Sequence, residues 1–132
     1  MTTLSKKLGE MSYDGLLVGT TPAPQVGGAI IRRLGEAATL KRGTILAKSS
    51  TNGMLVVLGT EGQDSEQLEP YGILTDDIEV GTTADVTVTI YIAGCFNLAK
   101  CIVKEGYTMT EADKDALRKY SIIFKEASAV VQ

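Results

Sequence analysis

Cys95 and Cys101 are the only thiols in the chain, with five residues between them. That spacing fits neither a Cys-x-x-Cys redox pair nor a four-ligand zinc site. Histidine is absent, so a Ser or Cys nucleophile lacks its usual base and a metal ion lacks its commonest ligand. The carboxylates gather in two places. Glu61, Asp64, Glu66 and Glu69 crowd one polar stretch, but without the alternating ligands and central Gly of a calcium loop they read as a solvated surface loop. Asp76, Asp77 and Asp85 lie around Gly81 with no His or aromatic wall beside them, which points to turn formation rather than acid–base catalysis. The resulting expectation is a chain with no catalytic, cofactor-binding or metal-binding residues and no small-molecule substrate. Both thiols should be buried or half-buried and inert.

Composition narrows the remaining classes. A chain of 132 residues, 44% of them apolar, fits one domain with a substantial core. With no Trp and two Phe, small aliphatics must fill that core. Fourteen Gly, on a background of Thr, Val and Ile, suit short strands joined by tight turns. The 13 basic residues are scattered and the net charge is -3, so no positive stripe is available to displace counterions from a nucleic acid. Lys6 with Lys7, Arg32 with Arg33, and Arg118 with Lys119 are isolated pairs on solvated faces. No apolar run has the length of a membrane span, and the first residues carry no apolar signal core, which predicts synthesis in a cytoplasm without membrane association.

The elements follow from local pattern. Residues 1–28 combine a polar start, the apolar run Leu16, Leu17 and Val18, and a breaker-rich stretch with Pro22, Pro24, Gly27 and Gly28. They are expected to form an extended N-terminal arm and linker, with a β-rich domain over residues 29–132. Residues 29–38 have helical spacing interrupted by Gly35 and stay open. Residues 44–48 and 54–58 flank Asn52 and Gly53, the signature of a hairpin with a type I′ turn. Residues 71–75 form a short strand. The best strand has Val86, Val88, Ile90 and Ile92 alternating with Thr87, Thr89, Tyr91 and Ala93, one face toward a core and a Thr-rich face toward solvent or another subunit. Thr110, Glu111 and Asp113 can cap and complement the start of a helix of about ten residues that ends at Arg118 and Lys119, with Ile122, Ile123 and Phe124 as a closing strand. The fold class is therefore mainly β, with one short C-terminal helix.

The order of these pieces resembles the phage head decoration family whose best-known member coats the lambda capsid. The matching segments are Gly72-Ile73-Leu74, Thr75-Asp76-Asp77, the alternating strand, Ala93-Gly94-Cys95-Phe96-Asn97, Ala116-Leu117-Arg118 and Ile122-Ile123-Phe124, with Arg42-Gly43-Thr44-Ile45-Leu46 like the family's first core strand. The segment before Gly28 departs from the family pattern. The resemblance implies a small β-barrel or β-tulip-like domain and a non-enzymatic structural protein of a tailed phage or prophage. It would form a homotrimer on the outer capsid of the virion, at three-fold or quasi-three-fold positions of the major capsid protein, and reinforce the expanded shell. Tyr13, Leu16, Leu17 and Val18 are the candidate capsid-binding residues, adding as a strand to an exposed capsid sheet edge. Another phage module, such as a tail or baseplate subunit, or a glycan-binding β domain is the alternative.

Overall fold

The computed structural model describes residues 15–18, 22–62 and 66–125. Its strands are β1 (Gln25–Ile31), β2 (Ala38–Leu40), β3 (Ile45–Ser49), β4 (Leu55–Val57), β5 (Leu68–Leu74), β6 (Ile78–Val80), β7 (Val86–Asn97) and β8 (Ile122–Lys125), with one helix, α1 (Glu111–Arg118). Strands β1, β4, β3, β5 and β7 pair in that order, and β7 pairs back onto β1, so five strands close a barrel. The mainly β class and the single short helix are as the sequence predicts.

Alternation along the strands builds two cores from one sheet. The inward face carries Ile31, Leu46, Leu55, Leu74, Val88 and Ile90, capped at one end by Leu40 and Val80 from the β2–β6 ribbon. The outward face of β3, β4, β5 and the far half of β7 carries Ile45, Ala47, Val56, Ile73, Tyr91 and Phe96, which pack under Leu16, Leu58, Leu117 and Ile122. Strand β7 serves both layers because it bends at Gly94, whose φ of 149° is open to glycine. A Cβ there would sit 2.9 Å from the Phe96 ring. Before the bend β7 lines the barrel; after it, residues 94–97 pair in parallel with β8.

Several local expectations change for identifiable reasons. The hairpin between β3 and β4 forms, but without a two-residue type I′ turn. Gly53 has a φ of 74°, whereas Ser121 is the one non-glycine at positive φ among the described residues. The Asn52 side chain instead accepts from the Met54 amide at 2.9 Å, a local Asx bond that tightens a longer loop. Strand β5 starts at Leu68, inside the predicted acidic loop. Its Pro70 is tolerated because the β3–β5 register shifts there, passing from Leu46↔Gly72 to Ala47↔Pro70. The open segment from residue 29 to 38 divides into the end of β1, an irregular stretch and the start of β2. Helix α1 has the expected Thr110–Asp113 capping box and spans eight residues. It ends where Ser121 turns to a φ of 66°.

The division at residue 28 does not mark a structural boundary. Strand β1 runs through it, pairing Val26↔Tyr91, Gly28↔Thr89 and Ile30↔Thr87 without interruption. Pro22 and Pro24 stand just before a barrel strand rather than within a free linker, and Gly27 and Gly28 belong to the sheet. Gly27 faces Ile92, and a Cβ there would make ordinary contact at 3.4 Å.

Candidate interaction surface

The groups with chemical potential are engaged in structure. Cys95 is buried and Cys101 half-buried, and neither forms a disulfide. Burial pushes the Cys101 thiol up to about 12, so it is protonated and unreactive at neutral pH. Asp77 accepts from the Arg42 amide at 2.8 Å and Asp85 from the Arg33 amide at 2.9 Å; both carboxylates hold neighbouring backbone. Tyr107 bonds to Asp113, and that bond, reinforced by burial, raises its phenol above the ordinary range. No group of three or more His, Cys, Asp or Glu is placed to hold a metal ion among the described residues.

Glu66 departs from the solvated-loop expectation. Its carboxylate meets Arg32 Nη1 at 2.7 Å, with side-chain exposures of 3% and 15%, and accepts from the Ser49 hydroxyl. The pair ties the acidic loop to the end of β1 and to β3. Arg42 makes a comparable tie: its guanidinium donates to the Thr75 carbonyl at 2.9 Å and the Tyr91 hydroxyl at 2.8 Å. Neither was legible from sequence, because each joins residues more than thirty positions apart.

The candidate arm residues divide. Tyr13 lies outside the described residues. Leu16, Leu17 and Val18, expected to bind an external sheet, pair with the chain's own β7. The Asn97 amide donates to the Leu16 carbonyl at 2.7 Å, the Val18 amide donates to the Cys95 carbonyl at 3.0 Å, and Leu17 bridges Phe96 in antiparallel register. Leu16 is 1% exposed and sits in the outer core. The physical reason is plain: residues 94–97 of β7 have one edge taken by β8 and would leave the other open, and this run fills it.

What the fold leaves unpartnered is the outer face of β1 and of the first half of β7. Val26 and Ile30 are 56% and 45% exposed there. Gly28 stands between them with open space over its α-carbon, and Thr87 and Thr89 lie alongside in register. No ionisable residue belongs to this set, and Thr75 donates to the Thr89 carbonyl at 2.9 Å along its border. The alternation in residues 86–92 pointed to this Thr face; the contribution of β1 did not show, because residues 25–28 read as linker.

No protein-family model and no curated protein matches the chain. Among the described residues no helix is long and apolar enough to cross a membrane.

Proposed function

We propose that this chain is a non-enzymatic capsid decoration protein of a tailed phage or prophage. In this reading it binds the outer surface of the major capsid protein as a homotrimer, at three-fold or quasi-three-fold positions, and reinforces the expanded shell. The observation that carries the reading is the grouping of the sequence motifs on one scaffold. Gly72-Ile73-Leu74 lies in β5, the acidic turn follows it, the alternating strand and the Ala93 to Asn97 element form the two halves of β7, and Ala116-Leu117-Arg118 with β8 closes over them. The burial of Cys95, Cys101 and Leu16 and the structural use of Asp77 and Asp85 favour a binding role over a catalytic one.

In the mechanism, the uncharged strip of Val26, Ile30, Thr87 and Thr89 is the contact between copies. Val26 and Ile30 stand exposed in it, and apolar side chains on a strand face gain from burial. Because residues 16–18 are committed to β7, the chain available to reach a capsid sheet edge is Tyr13 and the residues before it. One such segment binds weakly, but three on one trimer act together, and linkage of this kind raises avidity by roughly 10²–10⁴. Light scattering over a wide dilution range tests the assembly step. A mass of three chains, reduced to one by joint Val26→Lys and Ile30→Lys substitution, is the expected result. A monomer at every concentration argues for another interaction module.

A further inference from the structure

Asn52 and Asn97 are the only asparagines in the chain, and their side chains are held alike. Asn52 Oδ1 accepts from the Met54 amide at 2.9 Å, and Asn97 Oδ1 accepts from the Ala99 amide at 3.0 Å. Each bond folds the side-chain carbonyl back over the next peptide link, closing a ring of atoms that contains Cγ and the nitrogen of the following residue. From there the nitrogen can attack Cγ, and the donated amide hydrogen meets the oxygen on which negative charge develops. The surroundings of the two side chains differ sharply. We infer that Asn52 is a self-modification site: in the folded protein the tip of the β3–β4 hairpin converts to isoaspartate and aspartate, while Asn97 stays intact.

Asn52 is followed by Gly53, which has no Cβ to crowd the attack, whereas Asn97 is followed by Leu98. Thr51, Asn52 and Gly53 are all exposed, so hydroxide and water reach the reacting atoms. Asn97 is 3% exposed. Its main chain is also fixed on both sides, with its amide donating to the Leu16 carbonyl at 2.7 Å and its position in register with Lys125. The bond that opposes reaction at Asn52 runs from the Gly53 amide to the Ser49 carbonyl at 3.0 Å. Breaking an exposed bond of this kind slows the reaction by about tenfold at most. Reaction at Asn97 waits instead on opening of the sheet.

The steps balance with water alone as the co-reactant. Hydroxide takes the Gly53 amide proton, the nitrogen attacks Asn52 Cγ, and the bond from Cγ to Nδ2 breaks. Nδ2 takes a proton from water and leaves as ammonia, which regenerates hydroxide. Water then opens the cyclic imide. Cleavage between Cγ and the Gly53 nitrogen gives aspartate; cleavage between the Asn52 main-chain carbonyl carbon and that nitrogen gives isoaspartate. Either product replaces a neutral amide with a carboxylate beside Lys48, whose Cε is 3.9 Å from the position of a Cβ on Gly53. Isoaspartate also adds a methylene to the main chain next to the Lys48↔Leu55 pair. The inference is independent of the capsid reading, since it needs only the folded domain.

The test incubates the full chain in buffer, with circular dichroism to show that it stays folded, beside a sample unfolded in guanidinium chloride. Mass spectrometry follows the peptides that contain Asn52 and Asn97, and an isoaspartyl methyltransferase with labelled S-adenosylmethionine reports isoaspartate in each. Asn52 of the folded protein is expected to convert within about tenfold of its rate in the unfolded chain. That rate should rise in proportion to hydroxide and exceed the rate at Asn97 by roughly a hundredfold or more. Asn52→Gln, whose longer side chain must close a larger ring, should leave the same peptide free of isoaspartate. Conversion of Asn52 only after unfolding, equal rates at the two asparagines in the folded protein, or a rate indifferent to hydroxide would each overturn the inference.

Discussion

At Cys101 the surroundings decide the chemistry. Burial raises its thiol to about 12, against an ordinary value near 9.0, so the thiolate fraction at neutral pH falls roughly a thousandfold. Alkylation of the native protein with iodoacetamide should therefore leave Cys95 and Cys101 unmodified on a timescale that labels both after unfolding. Rapid modification of either would revive a nucleophilic role. The absence of His and the Cys spacing made this outcome legible in sequence, because reactivity needs a base or a cation nearby. Glu66 is the opposite case. Its neighbours in sequence are polar, and only the folded chain brings Arg32 to it. Removing one member of a buried pair strands the other, so Glu66→Ala should cost about 3 kcal/mol in chemical denaturation, while Arg32→Leu with Glu66→Leu should cost far less. Equal losses in the single and double variants would show that packing, not charge, governs the site.

Strand β7 shows how far local pattern carries at the scale of an element. Its alternation identified the strand and its inward face, and Thr110 with Asp113 identified the start of α1, because both signals are local. The pairing of residues 16–18 was not legible. Three apolar residues fit an arm and an edge strand equally, and the choice depends on whether a free edge waits elsewhere in the fold. Here residues 94–97 supply one. Two truncations separate the consequences. Removing residues 1–13 should leave the melting temperature unchanged, whereas removing residues 1–20 takes Leu16 out of the outer core. Loss of a fully buried Leu costs about 2–5 kcal/mol, and Leu16→Ala should show a loss of that size by itself. A stable 1–20 deletion would mean that the segment is dispensable to the domain.

Across the whole molecule, one barrel wall has two outer surfaces of different character. Over β3, β4, β5 and the second half of β7 the outside is covered by α1, β8 and residues 16–18, forming a second core. Over β1 and the first half of β7 it is bare: Val26 and Ile30 are exposed, and a concavity beside Gly28, Thr87 and Thr89 is bordered by Asp76 and Asp77. A domain that buries its reactive groups and leaves such a face is suited to assembly, and the phage decoration reading gives that assembly a place on a shell. Sequence supplied the mainly β class through strand pattern. Closure of β7 onto β1 lay beyond it, because Pro24 and the glycine pair mimic a linker where a strand begins. The central claim is capsid binding, and the direct measurement is co-sedimentation of the purified protein with expanded, undecorated shells of the major capsid protein encoded in the same genome. The account predicts saturable binding approaching three chains per three-fold or quasi-three-fold position, lost on removal of residues 1–13. Shells that sediment without the protein at saturating concentration would contradict it.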